Sequence, residues 1–120
     1  MATKLLVKVT AGADDLERCN QAFTVASSAV AAGAEVSLWL TGEAAWFALP
    51  GRAKEVSLAH ATPLADLLTI VLEAGTVTLC TQCAKRRDIG PDDVLDGIRV
   101  AGAATFVEET LNEDTQAIVY

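Results

Sequence analysis

Residues 76–90, TVTLCTQCAKRRDIG, place Cys80 and Cys83 three positions apart at the end of an apolar run and follow them with Lys85, Arg86 and Arg87. A thiol acts as a nucleophile only as its thiolate, and its pKa falls beside cations or at a helix N-terminus. Cys80, at the end of a β-rich stretch with cations five to seven residues on, is the candidate for chemistry. Lys85, Arg86 and Arg87 are its expected electrostatic support. Cys83, one helical turn further, is an optional second thiol that can share a disulfide with Cys80 or resolve it. A structural zinc site needs four ligands, and only Cys19 and His60 remain to join the pair from distant segments, so no metal is expected. A thioredoxin-like dithiol is the sharper alternative, but the pair comes late in the chain and lacks a WCxxC setting. The remaining reading of either cysteine is a small buried hydrophobe.

The elements that must position Cys80 can be read from hydrophobic periodicity. TKLLVKVT (residues 3–10) alternates apolar and polar positions, as a strand near a sheet edge does. Asp14 then serves as a helix N-cap, with Glu17 as its partner in an acidic capping box and Asp15 near the positive end of the dipole. Leu16, Cys19, Phe23, Ala26 and Val30 form one apolar stripe, and Gly33 suits a left-handed cap. Cys19 on that stripe reads as core. EVSLWL (35–40) is a second strand, apolar enough to be covered on both faces. TGEAAWFALPG (41–51) has room for a short helix stopped by Pro50 and Gly51, and KEVSL (54–58) reads as a third strand. Thr62 and Pro63 open a helix through LADLLTIVLEA that ends at Gly75. TVTLC (76–80) is a strand, Pro91 and Asp92 open a helical turn, VAGAATFVEETLN is a last helix, and QAIVY (116–120) a closing strand. Strands alternating with helices give an α/β fold with a mainly parallel sheet of about five strands and helices on both faces. Working groups in such sheets gather beyond the carboxyl ends of the strands, where Cys80 stands.

Composition narrows the function. A chain of 120 residues makes one domain (1–120) with one core. No window approaches the ~18 uninterrupted apolar residues of a membrane span. The opening MATKLLVKVT is broken by Lys8 and lacks the length and cleavage site of a secretory signal, so a reducing cytoplasm is expected. There, cysteines are more often catalytic or metal-binding than disulfide-bonded, and three is an odd count for a disulfide framework. Sixteen acids against nine bases give a net charge of −7, which argues against direct binding to nucleic acid or anionic membranes. The absence of GxGxxG and GKS/T patterns argues against a nucleotide, and no cofactor is expected. His60, the single histidine, is a proton donor for the thiolate if the fold brings it there and otherwise a solvated loop residue. Trp39, Trp46 and Phe47 supply three of six aromatics. Trp39 reads as core, and a WF-bearing helix either covers a sheet edge or is buried by a subunit interface.

LCTQCAKRRDI (79–89) resembles the motif of the DsrE/DsrF-like family, which includes the TusD and TusC sulfur-relay subunits. In that family a cysteine at a strand end precedes an Arg-Arg-Gly or Ala-Arg-Gly turn and an aliphatic residue. The similarity extends from the strand VKVT to the closing strand. It implies a three-layer α/β/α sandwich, assembly into homo-oligomers (trimers or hexamers), and a persulfide carried on Cys80, exchanged with sulfur-donor and sulfur-acceptor proteins. Asp88 replaces the usual glycine of the turn, and aspartate tolerates left-handed geometry. Two functions of different class follow: a sulfur carrier or sulfurtransferase using Cys80, or a non-catalytic oligomeric binding and assembly module. A CxxC redox protein is a third.

Overall fold

A computed structural model describes residues 3–120. β1 (Lys4–Val9), β2 (Glu35–Leu40), β3 (Thr76–Cys80), β4 (Ile98–Ala101) and β5 (Thr115–Val119) form one sheet in the order β4-β3-β2-β1-β5. Every pairing is parallel, so each strand reaches the next through a crossover. α1 (Leu16–Ala31) and α2 (Leu64–Ala74) cover one face, and α4 (Ala103–Thr110) lies on the other. α3 (Thr81–Arg86) continues directly from the end of β3.

The core between the sheet and the α1–α2 layer is apolar. Val7, Val36, Leu38, Val77 and Leu79 meet Cys19, Phe23, Ala26, Leu68 and Val71, all of them buried. The alternating positions of β1 explain its two lysines, because Leu5, Val7 and Val9 face this core while Lys4, Leu6 and Lys8 face the α4 side. β1 lies one place in from the edge, which β5 occupies. α1 ends in a Schellman motif, with Gly33 at φ +87, its N–H on the Val30 carbonyl and the Ala34 N–H on that of Ala29.

Several expected elements differ. The N-cap of α1 is Asp15, whose side chain accepts from the Arg18 N–H, while Asp14 bonds the Gly12 N–H. A 3-10 turn at Ala13–Asp15 shifts the helix start by one residue, and the Asp14–Glu17 capping box does not form. Pro63 takes the N-cap of α2 rather than its first helical position. Residues 54–58 are not a strand: Gly51 turns left-handed at φ +81 and Arg52–Glu55 coils into a 3-10 turn. Only Val56 and Leu58 of that segment are partly buried, too little for an inner strand. The fifth strand is instead β4, IRVA, which takes Val100 and Ala101 from the start of the expected last helix, so that helix begins only at Ala103. Residues 91–92 form a turn with no helix, closed by the Asp93 N–H on the Gly90 carbonyl. The short helix after β2 is present as a 3-10 helix, Gly42–Ala48. Its aromatics do not form an exposed patch, because Phe47 packs edge-on against Phe23 at 6.3 Å and the Arg52 guanidinium covers Trp46 at 4.8 Å.

Among the described residues no helix is long and apolar enough to cross a membrane.

Candidate functional site

Parallel register determines what surrounds Cys80. Lys8, Trp39 and Thr78 are cross-strand neighbours on the face that α4 covers, and Cys80, two residues beyond Thr78, shares that face. The helix α4 is docked there by a polar network. The buried Glu109 carboxylate accepts from Ser37 Oγ (2.7 Å), Trp39 Nε1 (3.3 Å) and the Arg99 guanidinium, which also donates from Nε to Thr78 Oγ1 (2.9 Å). Burial pushes the Glu109 carboxyl up, but the Arg99, Ser37 and Trp39 hydrogen bonds and the Arg99 charge outweigh it and hold the group below its usual range. Docked this way, α4 sets Phe106 edge-on to Trp39 at 5.3 Å.

Between these parts lies a cavity of about 290 Å³ bordered by Lys8, Trp39, Thr41, Cys80, Cys83 and Phe106. Its size is near the low end of small-ligand sites, which span roughly 300–1,000 Å³. Cys80 is partly exposed at this cavity and occupies the N-cap of α3. Burial raises its pKa. The Cys83 N–H, the Cys83 side chain, the Gln82 N–H and the Lys8 charge oppose that and bring the thiol below its ordinary value. The Lys8 ammonium stands 5.2 Å from the Phe106 ring centre, a cation–π arrangement that fixes it at the cavity wall.

Cys83 is buried at the same cavity, and its Sγ accepts the Gly42 N–H at 3.3 Å. Gly42 is required there: its φ is +53, and a Cβ would lie 2.4 Å from the Thr10 carbonyl oxygen. Cys19 is the contrasting thiol, wholly buried beneath α1, its pKa pushed up to about 12 by burial and then by Asp14 and Asp15.

The three cations after the pair are placed differently from Lys8. Lys85 and Arg86 are exposed, and neither contributes to the lowering of the Cys80 pKa. Arg87 turns away to Glu43, donating from Nε and Nη2 to one carboxylate oxygen at 3.0 and 2.7 Å, and from Nη1 to the Cys83 carbonyl at 3.1 Å. It thereby ties α3 to the 3-10 helix that carries Gly42. After Arg87, Asp88 takes the left-handed position at φ +53, and the Asp88 and Ile89 N–H groups close a second Schellman motif on Lys85 and Ala84. His60, also left-handed at φ +58, borders a larger hollow of about 680 Å³ with Glu17, Asn20 and Tyr120, a hollow that includes no cysteine. The sequence reading missed Lys8, Phe106 and Gly42. A usable signal existed for Lys8: it is a cation in an apolar strand, on the parity opposite the core. Among the described residues no three His, Cys, Asp or Glu side chains converge as a metal-binding group.

The DsrE/DsrF-like family model matches residues 3–116. Among solved structures, the YchN protein from E. coli superposes with a TM-score of 0.79 at 19% identity, with 100% of each chain covered. MTH1491 of Methanobacterium thermoautotrophicum, a protein of unknown function, gives 0.70 at 11% identity over 98% of each chain. BT1422 of Bacteroides thetaiotaomicron, likewise of unknown function, gives 0.61 at 16% identity over 98% of this chain and 95% of its own. Each is similar in fold. No curated protein matches the chain.

Proposed function

The chain belongs to the DsrE/DsrF-like family, and from that premise we propose that it is a sulfurtransferase-type persulfide carrier that accepts sulfane sulfur on Cys80. The supporting observation is a partly exposed thiol at the N-cap of α3, bordering one cavity with Lys8 and Cys83, whose pKa the following backbone N–H groups, Cys83 and the Lys8 charge lower against the effect of burial. A thiolate held in this way attacks the outer sulfur of a donor persulfide, forms a new S–S bond and releases the donor as its thiolate. The same donors then hold the anionic terminal sulfur of the product. The cavity beside Cys80 takes the sulfur-bearing end of a donor or acceptor protein in a reducing compartment such as the cytoplasm.

Self-association accompanies this reading. Val107, Leu111 and Val119 are large exposed apolar residues carried by α4 and its flanking segments, and β5 leaves one strand edge unpaired. We place the contacts of a homo-oligomer, a trimer or hexamer, on this side of the molecule. A pure assembly module would have the same surface but no use for a lowered thiol pKa.

The test is sulfur loading. Reduced protein is incubated with a low-molecular-weight persulfide, and the added sulfur is located by mass spectrometry in the wild type and in Cys80→Ser. Uptake at Cys80 that disappears in Cys80→Ser is the expected result, and no uptake at Cys80 refutes the carrier reading.

A further inference from the structure

The second cysteine has an arrangement that a carrier with one working thiol does not need. Cys83 is buried, yet it is not enclosed by hydrocarbon as Cys19 is: it borders the same cavity as Cys80, and its own sulfur accepts the Gly42 N–H. Side chains three apart in a helical turn have Cβ atoms about 5–6 Å apart, and a small adjustment brings them within disulfide range. The Gly42 donor cannot drift, because that backbone is held against the Thr10 carbonyl and Arg87 clamps α3 to the same 3-10 helix through Glu43. A donor on the Cys83 sulfur stabilises the anion that forms when this thiol gives up its proton.

We propose that Cys83 is a discharging thiol: it attacks the inner sulfur of a Cys80 persulfide, closes a Cys80–Cys83 disulfide and expels the outer sulfur as hydrosulfide. This step rests on the carrier reading above. Its balance is closed without an external oxidant. The Cys83 proton passes to the terminal persulfide sulfur, the Cys83 Sγ to Cys80 Sγ bond forms, and the bond from Cys80 Sγ to the outer sulfur breaks. The outer sulfur leaves with that electron pair as HS⁻, reduced, while the two cysteine sulfurs are oxidised to the disulfide. The Lys8 ammonium borders the cavity into which the anion departs. A dithiol reductant then restores both thiols by exchange. The protein thereby has two outlets for its cargo, transfer to an acceptor or release as sulfide, and sulfide release consumes reducing equivalents.

The experiment loads reduced full-length protein with the same low-molecular-weight persulfide, removes the excess by gel filtration, and follows bound sulfur, free sulfide and the Cys80–Cys83 disulfide together, in wild type and Cys83→Ser. The expected result is equimolar appearance of sulfide and disulfide in the wild type, and a Cys80 persulfide that survives roughly tenfold longer or more in Cys83→Ser, since the intramolecular attacker is gone. Equal persulfide lifetimes, or sulfide released without the disulfide, overturn the proposal while leaving the carrier reading intact. Failure of Cys80 to load overturns both. The paired sulfide and disulfide readout in the wild type decides the matter even where Cys83→Ser folds poorly.

Discussion

The two faces of the sheet solve different problems with the same five strands. Beneath α1 and α2 the packing is mostly hydrocarbon, and the cysteine that α1 contributes, Cys19, is a neutral, inaccessible thiol. Beneath α4 the strands present Lys8, Ser37, Trp39, Thr78 and Arg99, and the helix is attached through a carboxylate. A short helix of eight residues cannot cover a sheet of this width, so that face keeps an opening, and the opening is where Cys80 stands. The first face is closed by apolar packing, and the second leaves a partly exposed thiol whose pKa is lowered. The same residue type, cysteine, is driven in opposite directions by the two environments.

That contrast can be broken most forcefully on the apolar side. Phe23→Ala removes a fully buried ring and its edge contact with Phe47, and we expect a loss of about 3–5 kcal/mol in urea unfolding. A loss below about 1 kcal/mol would show that the α1 layer is not the main source of stability. On the polar side, Glu109→Ala leaves the buried Ser37 hydroxyl and Trp39 N–H without an acceptor, for an expected loss of about 1–3 kcal/mol. Because the folded-state pKa of Glu109 lies below its ordinary 4.5, its contribution is fully present above that value and is lost as pH falls through the folded pKa. An acid titration of stability should therefore lose this component in Glu109→Ala. The smallest effects on stability belong to the cations. Lys8→Met should move the pH midpoint of Cys80 alkylation upward, toward that of an ordinary thiol. Lys85→Ala and Arg86→Ala should leave it in place and change stability by no more than about 0.5 kcal/mol. A midpoint that moves with Lys85 or Arg86 instead would return the electrostatic role to the residues adjacent in sequence.

These cations mark the limit of what could be read from the sequence. Periodicity placed β2 at residues 35–40 and the end of β3 at Cys80, because strands buried on both faces announce themselves as apolar runs. The left-handed turn at Asp88 followed from the family resemblance, in which a glycine is usual at that position and aspartate tolerates the geometry. β4 did not, since IRVA has only four residues and contains an arginine that becomes acceptable only when Thr78 and Glu109 are brought to it from other elements. KEVSL had the composition of a strand but no sheet position to fill. At the site, Cys80 and Cys83 were legible because their relation is local. Lys8 lies seventy-two positions from Cys80 in the chain, and proximity in sequence favoured Lys85, Arg86 and Arg87, whose helix carries them elsewhere.

The strand order has a consequence for how the molecule comes into being. Residues 98–119 run from one edge of the sheet to the other, and α4 on the way supplies the Phe106 wall of the cavity. β5 then pairs with β1 across more than a hundred intervening residues, Lys4 with Thr115 through Lys8 with Val119. Contacts of such separation carry the largest loop-closure cost and tend to be slow to form. During folding, the α1–α2 layer can mature while Cys80 is still open to solvent. The thiol is thus most exposed to oxidants before the last strand docks.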